Sequence, residues 1–167
     1  MNARGWILLL IWIGLAPQVA LGQRPMRGPL PDEQRQLIHA MASAHDKFMR
    51  EVELTETGYV AKTTSEDPEI VAMLQEHVAY MKKRIDGGGM VRRWDPAFVE
   101  LLAHHEDIEV TIAELENGLE VVVEGKTPQA IEVAQNHANI VSGFVDLGFE
   151  AVHREHSAVL EKAASGE

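Results

Sequence analysis

The amino-acid sequence predicts an α+β fold made from an internally duplicated α-β-β-α unit, and two observations carry that prediction. Proline-started helical patterns flank pairs of β-branched or alternating apolar runs, and the whole arrangement recurs sixty residues later. A gapless shift of sixty aligns His45 with His105, Glu56 with Glu116, Gly58 with Gly118, Pro68 with Pro128, Gln75 with Gln135, His77 with His137, Asp86 with Asp146 and Gly88 with Gly148. The types that recur matter more than their number: a turn glycine, a helix-starting proline and two histidines on helix faces. A hairpin with two helices cannot bury its apolar face alone. Two copies are therefore expected to pair about a pseudo-twofold axis, giving a mostly antiparallel four-stranded sheet with about four helices. The alternative is two small subdomains joined by the linker at residues 87–94.

The first 22 residues read as a secretory signal peptide. Arg4 is the only charged residue before Arg24, and Trp6 to Ala16 is apolar apart from Gly14. That run is shorter than the roughly 20 residues needed to span a bilayer and suits a secretory signal core. Pro17 and Gln18 interrupt it, which disfavours an uncleaved anchor, and Ala20 and Gly22 are the small residues a signal peptidase accepts. Cleavage is expected after Gly22, with a periplasmic or secreted product and no stable membrane anchor. Residues 23–31, QRPMRGPLP, read as an extended leader.

The remainder, residues 32–167, reads as one duplicated domain, with a first repeat over about 32–88 and a second over about 95–150. In the first, Asp32 is the expected N-cap of a helix carrying Leu37, Ile38, Met41, Ala44, His45 and Phe48. A hairpin follows through Val52, Leu54, Thr57-Gly58 and the run from Tyr59 to Thr64. Asp67-Pro68 opens a second helix through Ile70, Leu74, His77, Val78, Met81 and Ile85, which Gly87-Gly88-Gly89 ends. In the second repeat Asp95-Pro96 opens a helix through Phe98, Leu101, Leu102 and His105. Ile108, Val110 and Ile112 alternate toward an Asn117-Gly118 turn, and Leu119, Val121 and Val123 alternate on the return. Thr127-Pro128 starts a last helix through Ile131, Ala134, His137, Ala138, Val141 and Val145.

Composition excludes several functions. Asp and Glu number 26 against 15 Lys and Arg, and cysteine is absent. Removing residues 1–22 takes away one positive charge and no acid, leaving 145 residues at −12. Such a chain is repelled by phosphate backbones, so nucleic acid is not an expected partner. It has no disulfides and no thiolate metal site. The acidic run from Glu106 to Glu124 reads as the wet face of the second hairpin. No nucleophile elbow, phosphate loop or paired-carboxylate motif stands out, and the glycines at 87–89 follow a helix rather than a strand.

Histidine and methionine carry the chemistry that remains. His45, His77, His105 and His137 fall on the apolar stripes of the predicted helices. In the first repeat each His has Met four residues away on both sides: Met41 and Met49 around His45, Met73 and Met81 around His77. Steps of four turn little around a helix, so each trio forms a ridge. Imidazole with thioether suits copper, above all Cu(I), or an axial position on haem iron. Packing is the competing account, because three of the four equivalent slots in the second repeat are Leu101, Val133 and Val141.

Lys82, Lys83, Arg84, Arg92 and Arg93 form a basic cluster that the second repeat lacks. Arg92 and Arg93 beside Trp94 could hold haem propionates, a small organic acid or an acidic partner. The leading expectation is an exported, non-enzymatic binding protein holding copper or haem through His45, His77, Met41, Met49, Met73 and Met81, with Arg92, Arg93 and Trp94 at the anion. The alternative is an exported interaction or structural module with core histidines and an Arg-Arg-Trp docking surface. A third is a small-molecule enzyme using a buried His as general base.

Overall fold

The computed structural model describes residues 28–160; the expected signal peptide and leader residues 23–27 lie outside that range. The described chain is α+β. Its order is α1 (Asp32–Ser43), β1 (Met49–Thr55), β2 (Gly58–Thr64), α2 (Pro68–Asp86), α3 (Pro96–Ala103), β3 (Ile108–Leu115), β4 (Gly118–Gly125), α4 (Pro128–Leu147) and α5 (Phe149–Val152). Single 3-10 turns, His45–Lys47 and His105–Asp107, link α1 to β1 and α3 to β3. Among the described residues the expected four helices are joined by α5, a single turn after Gly148.

One antiparallel sheet in the order β1-β2-β4-β3 joins the two hairpins through β2 and β4. The hairpin registers match at an offset of sixty: Met49 lies opposite Thr64, and Glu109 opposite Glu124. One sheet face, with Tyr59, Ala61 and Val123, packs on Ala134 and Ala138 of α4. The other exposes Glu51, Glu53, Lys62 and Glu109 to water, as alternation requires of a half-buried sheet. The long helices pack differently: α4 lies on all four strands, while α2 reaches β3 and β4 of the other half. Each hairpin is therefore covered at least in part by the long helix of the other half.

Helix starts follow the residues expected at α2 and α4. The Asp67 carboxylate accepts from the Glu69 amide at 3.0 Å, and the Thr127 hydroxyl from the Ala130 amide at 3.2 Å. At α1 the N-cap is Pro31, not Asp32, whose carboxylate instead pairs with Arg35 one turn on. Asp95 occupies the N-cap of α3 but gives it no side-chain bond, being committed elsewhere.

Two further expectations are corrected. Helix α1 ends at Ser43 and α3 at Ala103, so His45 and His105 sit in the 3-10 turns and Met49 begins β1. Helical spacing cannot reveal this stop, because the turn keeps an apolar residue every three or four positions while redirecting the chain into the sheet. The second correction concerns the glycines. Each hairpin turns on the two residues before glycine, Glu56-Thr57 and Glu116-Asn117, and no described non-glycine residue has positive φ, so Asn117 does not adopt the left-handed conformation. The recurring glycine is needed for contact: a Cβ at Gly58 would lie 2.0 Å from the Val123 carbonyl oxygen, and one at Gly118 2.1 Å from that of Thr63. Only glycine lets β2 and β4 approach so closely at their ends.

Candidate functional site

Between the inner sheet face and the helices lies a cavity of about 710 Å³. Its wall is mainly apolar and draws on both halves, from Phe48, Leu74 and Val78 to Ile108, Val121 and Val141. All four repeat-related histidines, His45, His77, His105 and His137, stand on that wall. They arrive there in two ways: His77 and His137 from the inward stripes of α2 and α4, His45 and His105 from the 3-10 turns entering the outer strands.

The turn histidines are anchored by backbone carbonyls. His45 Nδ1 lies 2.9 Å from the Val145 oxygen and His105 Nδ1 2.6 Å from that of Leu102. A carbonyl only accepts, so Nδ1 carries the proton, and in the neutral ring Nε2 keeps its lone pair. The helix histidines are buried more deeply. Burial pulls the His77 imidazole down to about 4, and its Nδ1 has no hydrogen-bond partner. Burial likewise lowers His137 to about 4, helped by the charge of Arg50 and opposed by that of Asp95. The edge of Phe98 meets the His137 ring with centroids 5.5 Å apart. Both rings are neutral at neutral pH.

The methionines divide. Met41 and Met81 line the cavity with His45 and His77. Met49 does not: it is 56% exposed and borders a shallow surface depression with Asp46, Lys47 and Asp67. Met73 is absent from the cavity wall as well. The Met41, His45, Met49 ridge is therefore broken by the end of α1, and the ridge on α2 contributes His77 and Met81 alone. Among the described residues no three His, Asp or Glu side chains converge closely enough to hold a metal ion.

The basic cluster also separates. Arg84 is buried and donates to the carbonyl oxygens of Met90 and Gly28, tying the linker to the leader. Arg92 sits over Trp94 at 4.3 Å and near the rings of Phe98 and Phe144, and its Nε donates to the Asp95 carboxylate at 3.2 Å. Only Arg93 and Trp94 of the expected anion-binding trio remain exposed, Trp94 by 53%.

Two residues carry more than the sequence reading gave them. Asp95 is fully buried, and besides Arg92 it accepts from His156 Nδ1 at 2.8 Å and from the His156 amide at 3.3 Å. His156 thereby pins the C-terminal segment to the start of α3. Arg50 projects from β1 into the cavity, where its Nη1 donates to the Thr63 hydroxyl at 2.8 Å and its Nε to that of Ser142 at 3.3 Å. Strand alternation with Val52 was the available signal, since it places position 50 on the inner face.

Comparison with known protein families, with curated proteins and with solved structures found no match. The chemistry of the cavity must therefore carry the functional argument. It offers a mainly apolar enclosure large enough for a flat ligand of several rings, imidazole nitrogens on its wall and several guanidinium groups, among them those of Arg50, Arg92 and Arg93.

Proposed function

We propose that this is an exported, non-enzymatic binding protein that encloses haem in the cavity, built by internal duplication of a sixty-residue unit. The observation that carries the reading is the placing of four histidines on the wall of one apolar cavity of about 710 Å³. That volume falls within the usual range for enclosed organic ligands. Haem iron needs only one or two protein ligands, and imidazole is the commonest. The absence of a three-ligand cluster among the described residues therefore weighs against a free metal ion more than against haem. A copper site of the His and Met type would lose Met49 and Met73 from its ligand set.

Export rests on the apolar run and small residues before Gln23. Duplication is supported by the shared order of elements and the equal hairpin registers. A docking role would fall to Arg93 and Trp94 alone, since Arg92 is engaged by Asp95. General-base catalysis by His77 or His137 is poorly served by rings that bind a proton only near pH 4.

The test is reconstitution with haem of the wild type and of four single variants, His45→Ala, His77→Ala, His105→Ala and His137→Ala, followed by absorbance. The expected result is a Soret band distinct from free haem that shifts or collapses in one or two of the variants. A wild-type spectrum identical to free haem, or a band indifferent to all four substitutions, would overturn the proposal.

A further inference from the structure

Four of the histidines lining the cavity form two pairs sixty apart, His45 with His105 and His77 with His137, but its charged residues do not repeat. Arg50, Tyr59 and Thr63, however, stand where the second half has Val110, Leu119 and Val123, and all six line the cavity. At these sheet positions one half thus has a polar pole and the other is hydrocarbon, while Lys82, Arg92 and Arg93 line the cavity from the end of α2 and the linker.

Arg50 is the charge at that pole, and nothing in the described structure neutralises it. Its two side-chain bonds go to the neutral hydroxyls of Thr63 and Ser142, while each ion pair among the described residues involves other groups. Ser142 in turn donates to the Ala138 carbonyl at 3.1 Å, so its oxygen is turned to accept from the guanidinium. A partly buried guanidinium without a carboxylate is an unfavourable arrangement that an incoming anion relieves. Its planar donor fork suits a carboxylate or sulfonate, with the hydroxyls fixing its plane.

We infer that Arg50 is the anion anchor of the cavity: it takes the acidic group of an amphipathic organic anion whose apolar body lies toward Val110, Leu119 and Val123. Binding at Arg50 then favours one of the two orientations that the paired sheet positions would otherwise allow. This inference rests on the cavity being a ligand site, as proposed above, and not on haem being the ligand.

Two fluorescent probes with similar aromatic bodies test it, anionic 8-anilinonaphthalene-1-sulfonate and uncharged N-phenyl-1-naphthylamine. Each is titrated into wild type, Arg50→Met and Arg50→Gln, the last retaining a donor for Thr63 should the methionine variant fold poorly. The expected result is a loss of about tenfold or more in sulfonate affinity in both variants, the scale of a lost bond to a charged group, with the amine unchanged. Equal losses for the two probes, or undiminished sulfonate binding, would overturn the anchor. Arg50-dependent sulfonate binding in a protein that takes up no haem would uphold the anchor and refute haem. If the wild type binds neither probe nor haem, both proposals fall.

Discussion

Gln75 and Gln135 perform the same task in opposite halves of the molecule. The Gln75 amide donates to the carbonyls of Leu115 and Gly118 at 3.2 and 2.9 Å, and the Gln135 amide to those of Thr55 and Gly58 at 3.0 and 3.2 Å. Each long helix thereby clamps the turn of the hairpin from the other half. Replacing either by Ala removes two bonds to the carbonyls at a hairpin end, an expected loss of about 1–3 kcal/mol. Urea denaturation of Gln75→Ala, Gln135→Ala and the double variant should show similar single losses that add, since the clamps share no partner. One substitution without effect would mean that the clamps are not equivalent.

Low pH should loosen the fold through the two helix histidines. His77 and His137 fall from an ordinary 6.5 to about 4 through burial. Between those values the unfolded chain holds protons that the folded chain refuses, so stability is complete above about pH 6.5 and is lost as pH falls toward 4. Denaturation midpoints should drop between pH 7 and pH 5. The drop should shrink in a His77→Asn, His137→Asn variant compared at the same two pH values.

Asp95, buried at the start of α3, should be among the least replaceable residues of the fold. Substitution by Asn leaves Arg92 partly buried without its countercharge and weakens the hold on His156. Breaking one member of such a buried group typically costs about 3–5 kcal/mol. The melting temperature of Asp95→Asn should fall sharply, whereas Asp86→Asn, whose partner Lys82 forms an exposed pair, should change it little.

Gly148 is the support under His45. It has φ of +54°, and a Cβ there would lie 2.5 Å from His45 Cδ2 and 2.7 Å from the Ala42 carbonyl oxygen. Its counterpart Gly88, at φ +69°, has nothing within 4 Å of such an atom. Gly148→Ala should displace the His45 ring and weaken ligand binding, while Gly88→Ala should show a modest stability loss alone. Parallel melting and binding titrations separate the two effects.

The α+β class, the two hairpins and the starts of α2 and α4 were legible because each rests on local chemistry: Asp-Pro and Thr-Pro at helix starts, alternation in strands. The ends of α1 and α3 were not, because the 3-10 turns that divert the chain keep helix-like spacing and His45 is held by Val145, a hundred residues away. The histidines were recognisable as inward-facing, yet sequence spacing could not show that they border a cavity rather than a packed core. The methionine ridge misled for the same reason, since Met49 is four residues from His45 on a chain that is no longer helical there. Arg50 escaped notice, and Asp95 was read only as a helix start, because their importance lies in distant partners, Ser142 and His156.

Trp94 provides the most direct reading of the central claim. The other two tryptophans, Trp6 and Trp12, belong to the segment expected to be removed, and Trp94 lines the cavity. Haem titrated into the chain from Gln23 onward should quench Trp94 emission and saturate at one equivalent per chain, with the Soret band growing in step. Emission that declines without saturation, or a Soret band that never departs from that of free haem, would contradict the assignment of the cavity as a haem site.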